Sequence, residues 1–431
     1  MIILRATILA LVCTVLVASA EAGDKIYTID DAYRAALAGN ENVKIAEEDV
    51  IQSESRVDQA WTYLYPKLVA QGAYTRFNET LPPGGGAFLF QPKEQYQASL
   101  VLTQPLYTGG RTLAALRTAQ KMREASSSGL SLTRQDMMLS VAEAYYGVLK
   151  AQKSVDISKR SLKRMEHHKE TTEREAATRK SKANQSALLR ANSLVSQARI
   201  ALVRAQDGLK IAHEKLSLLT KLPKDIQLAE PPQLEPSAES LENLQKIALS
   251  NRADYATSRI NKNIADENVA IVQGGHYPQL SALAGAQYQE SQPAIFTDAT
   301  TYYAGLRLTV PIFEGGLMRA EVSEARSRVR QAELSSDFLR KSIESDVEEA
   351  YVNLQTVTSV LETAKLEMDY AKGNYEAVDG LFSEGLLASL SLIDAEQALT
   401  MAERELMNAA YDRELAILRL RKSIGMLGKE S

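Results

Sequence analysis

The chain has 431 residues, with 50 Lys and Arg against 54 Asp and Glu and a formal net charge of −4, which leaves no basic footprint for nucleic acid. Past Ala22 no run of 18 apolar residues occurs, so a membrane role for the remainder would fall to β-strands rather than helices. At this length two or three ordinary domains could fit.

Residues Ile2 to Val17 are almost wholly apolar, interrupted mainly by Arg5, Cys13 and Thr14. The run is short for a bilayer span and carries its positive charge on the N-terminal side. Ala18-Ser19-Ala20 and Ala20-Glu21-Ala22 follow as small-x-small cleavage sites, so residues 1–22 read as a secretory signal, with a retained anchor as the alternative. Val12 before Cys13 argues against lipidation. Cys13 is the single cysteine, so after cleavage packing alone must hold an exported fold.

The remainder is an internal duplication. Pro105-Leu106-Tyr107-Thr108-Gly109-Gly110 returns 206 residues later as Pro311-Ile312-Phe313-Glu314-Gly315-Gly316. The same offset pairs Tyr96 with Tyr302 and Glu143-Ala144-Tyr145 with Glu349-Ala350-Tyr351. Upstream, Tyr65-Pro66-Lys67-Leu68 matches Tyr277-Pro278-Gln279-Leu280. Missing such a repeat misreads the fold. The boundaries that follow are a first repeat at 23–222, a proline-rich connector at 223–238 expected to be extended, and a second repeat at 239–431.

Each half has the same order of elements. A capped helix starts at Thr28-Ile29-Asp30-Asp31 and its counterpart at Ser240-Leu241-Glu242-Asn243, and each is expected to run on to its Tyr-Pro dipeptide. Two strands follow. In Tyr302 to Val310, Tyr302, Ala304, Leu306, Leu308 and Val310 share one face, while Tyr303, Gly305, Arg307 and Thr309 share the other. Period two with one apolar and one polar face suits a barrel wall between lipid and water, although a soluble half-buried sheet alternates in the same way.

After each Gly-Gly pair comes a very long helix and then a second helix running back. From Val322 the apolar positions step by three and four through Ala325, Val329, Ala332, Ser336 and Leu339 to Tyr375, with one extra step of four at Leu339–Ile343–Val347. That is a coiled-coil seam with a single stutter. Leu392, Ala395, Leu399, Ala402, Leu406 and Ala409 continue it on the returning helix. The first long helix, from Thr112 to about Thr178, would extend about 100 Å at 1.5 Å per residue, beyond what a globular core needs. Four strands are too few for a membrane barrel, where eight is about the minimum, so closure calls for oligomerisation.

Taken together, these features resemble the TolC-type outer membrane efflux protein family over nearly the whole span from Thr28 to Leu427. The duplicated Gly-Gly motifs, the Tyr-Pro-x-Leu strand openers and Glu384-Gly385-Leu386-Leu387-Ala388-Ser389 carry the likeness. The resemblance implies an α+β membrane protein of Gram-negative type. A homotrimer would share one β-barrel, four strands per protomer, continued by a long α-helical coiled-coil barrel through the periplasm. It further implies a passive exit duct for efflux or type I secretion, set in outer-membrane lipid, with a periplasmic adaptor and an inner-membrane pump or ABC transporter as partners.

Under that resemblance, Pro105, Gly109, Gly110, Pro311, Gly315 and Gly316 mark the strand-to-helix junctions. Gly385, Leu386 and Ser389 mark a periplasmic tip that meets the adaptor, and Asp394 a ring at the periplasmic aperture. The chain departs from symmetry at the first-repeat tip, where Ser181 in Arg179-Lys180-Ser181-Lys182 stands in place of Gly385. Catalysis has no support. His167, His168, His213 and His276 show no metal-binding spacing and read as solvent-exposed, and the Gly-Gly motifs lack the Lys-Ser/Thr of a phosphate loop. No cofactor or metal is therefore expected. A periplasmic coiled-coil scaffold is the alternative of a different class.

Overall fold

The computed structural model describes residues 26–78, 93–178, 182–292, 299–384, 386–387 and 389–428. The signal segment, Ser181 and Gly385 lie outside them. By contacts the chain divides into two units. One comprises Gly39–Leu139, Glu235–Glu362 and Asp412–Ser431 and holds the main sheet; the other comprises Met1–Ala38, Ser140–Leu234 and Thr363–Tyr411.

The sheet-bearing unit contains α2 (Glu41–Thr62), β2 (Lys67–Arg76), β3 (Glu94–Tyr107), α5 (Leu241–Asn251), α6 (Ala253–Gly274), β5 (Gln279–Gln292) and β6 (Ala299–Thr309). It also contains the first parts of α3 (Arg111–Thr178) and α7 (Leu317–Ser383) and the end of α8 (Ser389–Ser423). Its four strands run antiparallel in the order β2-β3-β5-β6. Lys67 lies opposite Thr103, and Gln279 lies opposite Thr309. Each pair is the repeat image of the other, so both halves build the same hairpin in the same register.

Helix α2 packs on the start of α3 through Ala60, Leu116 and Ala119, with Val57 and Leu64 beside them. Burying Leu116 contributes about 2 kcal/mol, and the alanines let the two backbones come close. Arg134 to Glu47 at 2.8 Å and Arg123 to Glu54 at 3.7 Å flank this contact. Helix α6 makes the corresponding contact with α7, where Lys262 reaches Glu333 at 3.0 Å and the Ser258 and Ser336 hydroxyls meet at 2.8 Å. On its other side α6 meets α3 through Arg117 and Glu267 at 2.9 Å.

The expected continuous helices before the Tyr-Pro dipeptides are each broken once. Asn40 adopts an extended backbone and its side chain accepts from the Asn42 N–H, ending α1 (Ile29–Gly39) and capping α2. Arg252 is extended in the same way between α5 and α6. There Gly425, at φ +71, approaches so closely that a Cβ would come within 2.9 Å of the Asn251 and Arg252 backbone. Tertiary packing therefore sets the second break, and no local helix-stop residue marks it.

In the other unit, β1 (Ile26–Tyr27) precedes α1, and α4 (Lys182–Thr220) precedes β4 (Gln227–Leu228). Thr28 and Asp31 cap α1 reciprocally: the Thr28 N–H and hydroxyl donate to the Asp31 carboxylate, and the Asp31 N–H donates to Thr28 Oγ1. The connector at 223–238 is not wholly extended coil, because β4 pairs in parallel with β1. The Tyr145 hydroxyl closes this ladder, donating to the Tyr27 carbonyl at 2.9 Å and the Ala229 carbonyl at 2.6 Å. Burial is the main cause pushing its pKa up to about 12. Every seam position from Val322 to Tyr375 is buried or half-buried, through the stutter, where Ile343 and Val347 are fully buried.

Candidate functional site

Three regions bear on function: the sheet, the strand-to-helix junctions, and the end of α7 with the start of α8. On β6, Leu306 and Leu308 alternate with Arg307. The cross-strand partners of those leucines are Ala282 and Leu280, and the partner of Arg307 is Ser281, so the apolar and polar faces persist across the hairpin. Tyr74 and Tyr96 stack across the β2–β3 hairpin with centroids 4.9 Å apart. No described helix is long and apolar enough to cross a membrane.

At the first junction Gly109 and Gly110 sit at φ +68 and +84; at the second, Gly315 and Gly316 sit at +62 and +90. L-residues avoid that region, and two consecutive residues in it swing the chain from strand into helix within one turn. The two junctions differ in their surroundings. Pro105 lies within β3, and the Gln104 side chain donates to the Leu64 and Pro105 carbonyls at 3.0 and 2.8 Å. A Cβ on Gly109 would lie 2.2 Å from the Gly274 carbonyl oxygen, so the end of α6 requires a glycine there. Pro311 follows the end of β6, and a Cβ on Gly315 or Gly316 would meet nothing within 4 Å.

At the far end of α7 the Leu386 N–H donates to the Leu381 carbonyl at 2.9 Å, and the Leu386 side chain is exposed. The Ser389 hydroxyl pairs with His168 Nε2 at 3.0 Å. His168 thus departs from the expected solvent exposure. It is 2% exposed and stacks near Phe382, and burial holds its pKa below the ordinary value, with His167 lowering it further and Asp379 opposing. Asp394 is exposed on α8, between the buried Ile393 and Ala395.

The polar cluster that sequence reasoning missed lies two residues on. Glu396 is buried and accepts from the Ser161 hydroxyl at 2.7 Å, Arg164 Nε at 3.3 Å and the Thr400 hydroxyl at 2.9 Å. Arg164 also donates to Glu403 at 3.2 Å and stands over the Tyr375 ring. A signal was present: Glu396 and Glu403 each fall four residues after a seam leucine, Leu392 and Leu399, on the face that packs inward. Among the described residues no group of His, Cys, Asp and Glu could hold a metal ion.

A four-stranded meander that turns through paired glycines into helices of 67 and 68 residues, twice over, has the architecture of an outer-membrane export channel rather than of an enzyme. The chain belongs to the outer membrane efflux protein family, whose model matches residues 32–220 and 244–426. It is 25% identical over 344 residues to the outer membrane protein TolC of Vibrio cholerae, covering 77% of each chain. It is 25% identical over 346 residues to the alkaline protease secretion protein AprF of Pseudomonas aeruginosa, covering 78% of this chain and 70% of that one. Among solved structures, the Campylobacter jejuni CmeC outer membrane channel superposes with a TM-score of 0.81 at 15% identity, covering 94% of this chain and 87% of that one. The protein is an outer-membrane exit duct, not an enzyme.

Proposed function

We propose that three copies of this chain close one twelve-strand barrel, four strands from each, and form a passive duct. The observation that carries the reading is the sheet itself: β2 and β6 are its two edges, and four strands cannot close a membrane barrel. Residues 1–22 serve as the export signal, and the repeats at 23–222 and 239–431, joined at 223–238, each supply one hairpin and one long helix pair. In this reading Pro105, Gly109, Gly110, Pro311, Gly315 and Gly316 turn barrel into helix, and Leu306 and Leu308 face lipid.

The exposed Leu386, with Gly385 and Ser389, supplies the contact for a periplasmic adaptor, which links the duct to an inner-membrane pump or ABC transporter. One relative is named for protease secretion, which fits a conduit whose cargo is chosen by its pump. Asp394 is exposed, as an aperture carboxylate must be, and three-fold symmetry would gather three of them into a cation-favouring ring. Reconstitution into planar bilayers tests the reading. The detergent-extracted protein should form cation-selective channels, and Asp394→Ala should weaken that selectivity and block by multivalent cations while leaving assembly intact. Absence of any conductance from assembled protein would reject the duct, and unchanged selectivity in the variant would leave Asp394 as surface charge.

A further inference from the structure

Arg319, Arg326 and Arg330 form one stripe on α7, within about 40° of each other around the helix. With His276 and Tyr277, just past the end of α6, they line a cleft of about 740 Å³ that no acidic side chain enters. All three arginines are exposed, and none of their guanidiniums has a hydrogen-bond or ion-pair partner among the described residues. Arg328, on the opposite side of the same helix, is paired with Glu324. Three unpaired guanidiniums in one cleft repel one another and concentrate positive potential, and their physical complement is an anion.

The fold does not need these cations. Their repeat images, 206 residues earlier, are Leu113, Gln120 and Glu124. The images of Gln273 and Tyr277, which also line the cleft, are Trp61 and Tyr65, 212 residues earlier. The first repeat therefore builds the same corner with no arginine at the three positions.

The first repeat also shows which way this face points. Helix α3 has α2 on one side and α6 on the other, yet Leu113, Gln120 and Glu124 stay exposed. The matching face of α7 thus stays open even with a helix on either side of it. Trp61, the single tryptophan, is 41% exposed, and Tyr65 and Leu113 are exposed as well. An exposed indole, phenol and leucine together suit a lipid–water boundary better than a wet lumen. The cleft accordingly opens outward, at the level where the sheet gives way to helix.

Depth agrees. Arg319 lies two residues into α7 and Arg326 nine, or about 3 and 14 Å along the axis at 1.5 Å per residue. A headgroup layer is roughly 5–8 Å deep. Side chains lean toward the N-terminus of their helix, so both guanidiniums reach back toward the strands and the bilayer. We propose that this cleft binds the phosphate group of an anionic phospholipid from the periplasmic leaflet. Arg319 and Arg326 donate to the phosphate oxygens in the forked geometry that suits them, Arg330 strengthens the field, and the acyl chains lie against the outer face of the sheet.

This inference rests on the membrane-set duct proposed above, and a lipid titration of the delipidated, detergent-extracted full chain separates the two. Phosphatidylglycerol added to the micelles should raise the temperature at which the assembly falls apart, and phosphatidylcholine should raise it less. Arg326→Gln should increase the phosphatidylglycerol needed for half of that shift by roughly fivefold, the value of one cation near an anionic headgroup. Arg328→Gln removes the same charge two residues away and should leave the half-point unchanged. Equal half-points for the two variants, or equal shifts with both lipids, would overturn the site. A shift reproduced by inorganic phosphate at the same concentration would replace the lipid with a soluble anion. A channel that conducts but ignores phosphatidylglycerol would overturn this inference alone, whereas assembled protein with no conductance would overturn the duct.

Discussion

Gly109 should be the least replaceable of the four junction glycines, and the margin follows from geometry. Gly109→Ala places an L-residue at φ +68, which costs about 1–2 kcal/mol. Its Cβ would also sit 2.2 Å from the Gly274 carbonyl oxygen and 2.9 Å from Tyr277 Cβ, where ordinary contact needs well over 3 Å. Neither atom is the tip of a flexible side chain, so the end of α6 must shift by about 1 Å, an overpacking strain of about 1–3 kcal/mol. The total is about 2–5 kcal/mol. Gly110→Ala, at φ +84 with nothing within 4 Å, carries only the first component.

The assay is the temperature at which detergent-extracted assemblies fall apart on unboiled gels, together with the protease susceptibility of the junction. Gly109→Ala should lower that temperature clearly more than Gly110→Ala, and the companion substitution Gly274→Ala, whose Cβ would lie 2.7 Å from the Gly109 carbonyl oxygen at a helical backbone, should lower it through the overpacking component alone and so by less than Gly109→Ala. Equal losses for Gly109→Ala and Gly110→Ala would refute the close-approach argument and leave backbone conformation as the sole requirement.

Three further outcomes can be checked. Leu306→Arg should abolish outer-membrane assembly, at about 2–4 kcal/mol near mid-membrane, while Arg307→Leu is tolerated; equal normal yields would reverse the assigned faces. Arg164→Ala removes the cation shared by Glu396 and Glu403, whose side chains are 5% and 9% exposed, and leaves Glu403 with Arg160 and Glu396 with the Ser161 and Thr400 hydroxyls, so it should cost about 1.5–3 kcal/mol. Glu396→Ala leaves Arg164 paired with Glu403 and should cost less in the same thermal assay, so a reversed order would show that the cluster is not a coupled pair. For His168, burial favours the neutral ring, so its stabilisation is whole above the unfolded value of 6.5 and is lost as pH falls toward the lowered folded value. Proteolysis of the α7–α8 end should rise on acidification and become flatter with pH in His168→Gln; an unchanged slope in that variant would assign the effect elsewhere.

The long helices, the seam and the hairpins were legible because each is a periodic property of its own segment. The step of three and four from Val322 to Tyr375 needs no partner to be read, and all its positions turn inward. The duplication added what periodicity cannot, since two copies of one motif fix the order of elements and even the hairpin register. Features that depend on distant chain were not legible. Nothing near Arg252 announces that Gly425 will press against it, and nothing in Gln227-Leu228 announces β1. His168 among charged neighbours looked like a surface residue, because its burying partners, Phe382 and Ser389, lie more than two hundred positions away.

The same distinction explains why Asp394 drew attention before Glu396. Read locally, both are carboxylates on a helix, and only the phase of the seam separates them. Leu392, Ala395 and Leu399 define the inward face, which admits Glu396 and leaves Asp394 outside. A buried carboxylate survives folding only where donors are waiting, and here Ser161, Arg164 and Thr400 supply them. An outward carboxylate needs no such provision, so any role for Asp394 must involve something outside the protomer: a symmetry mate, a permeating ion or an adaptor. In the proposed duct Glu396 serves the fold and Asp394 the pore. Glu396→Ala should therefore lower the disassembly temperature with selectivity unchanged, and Asp394→Ala should do the reverse; a loss of assembly stability in Asp394→Ala equal to that in Glu396→Ala would undo the distinction.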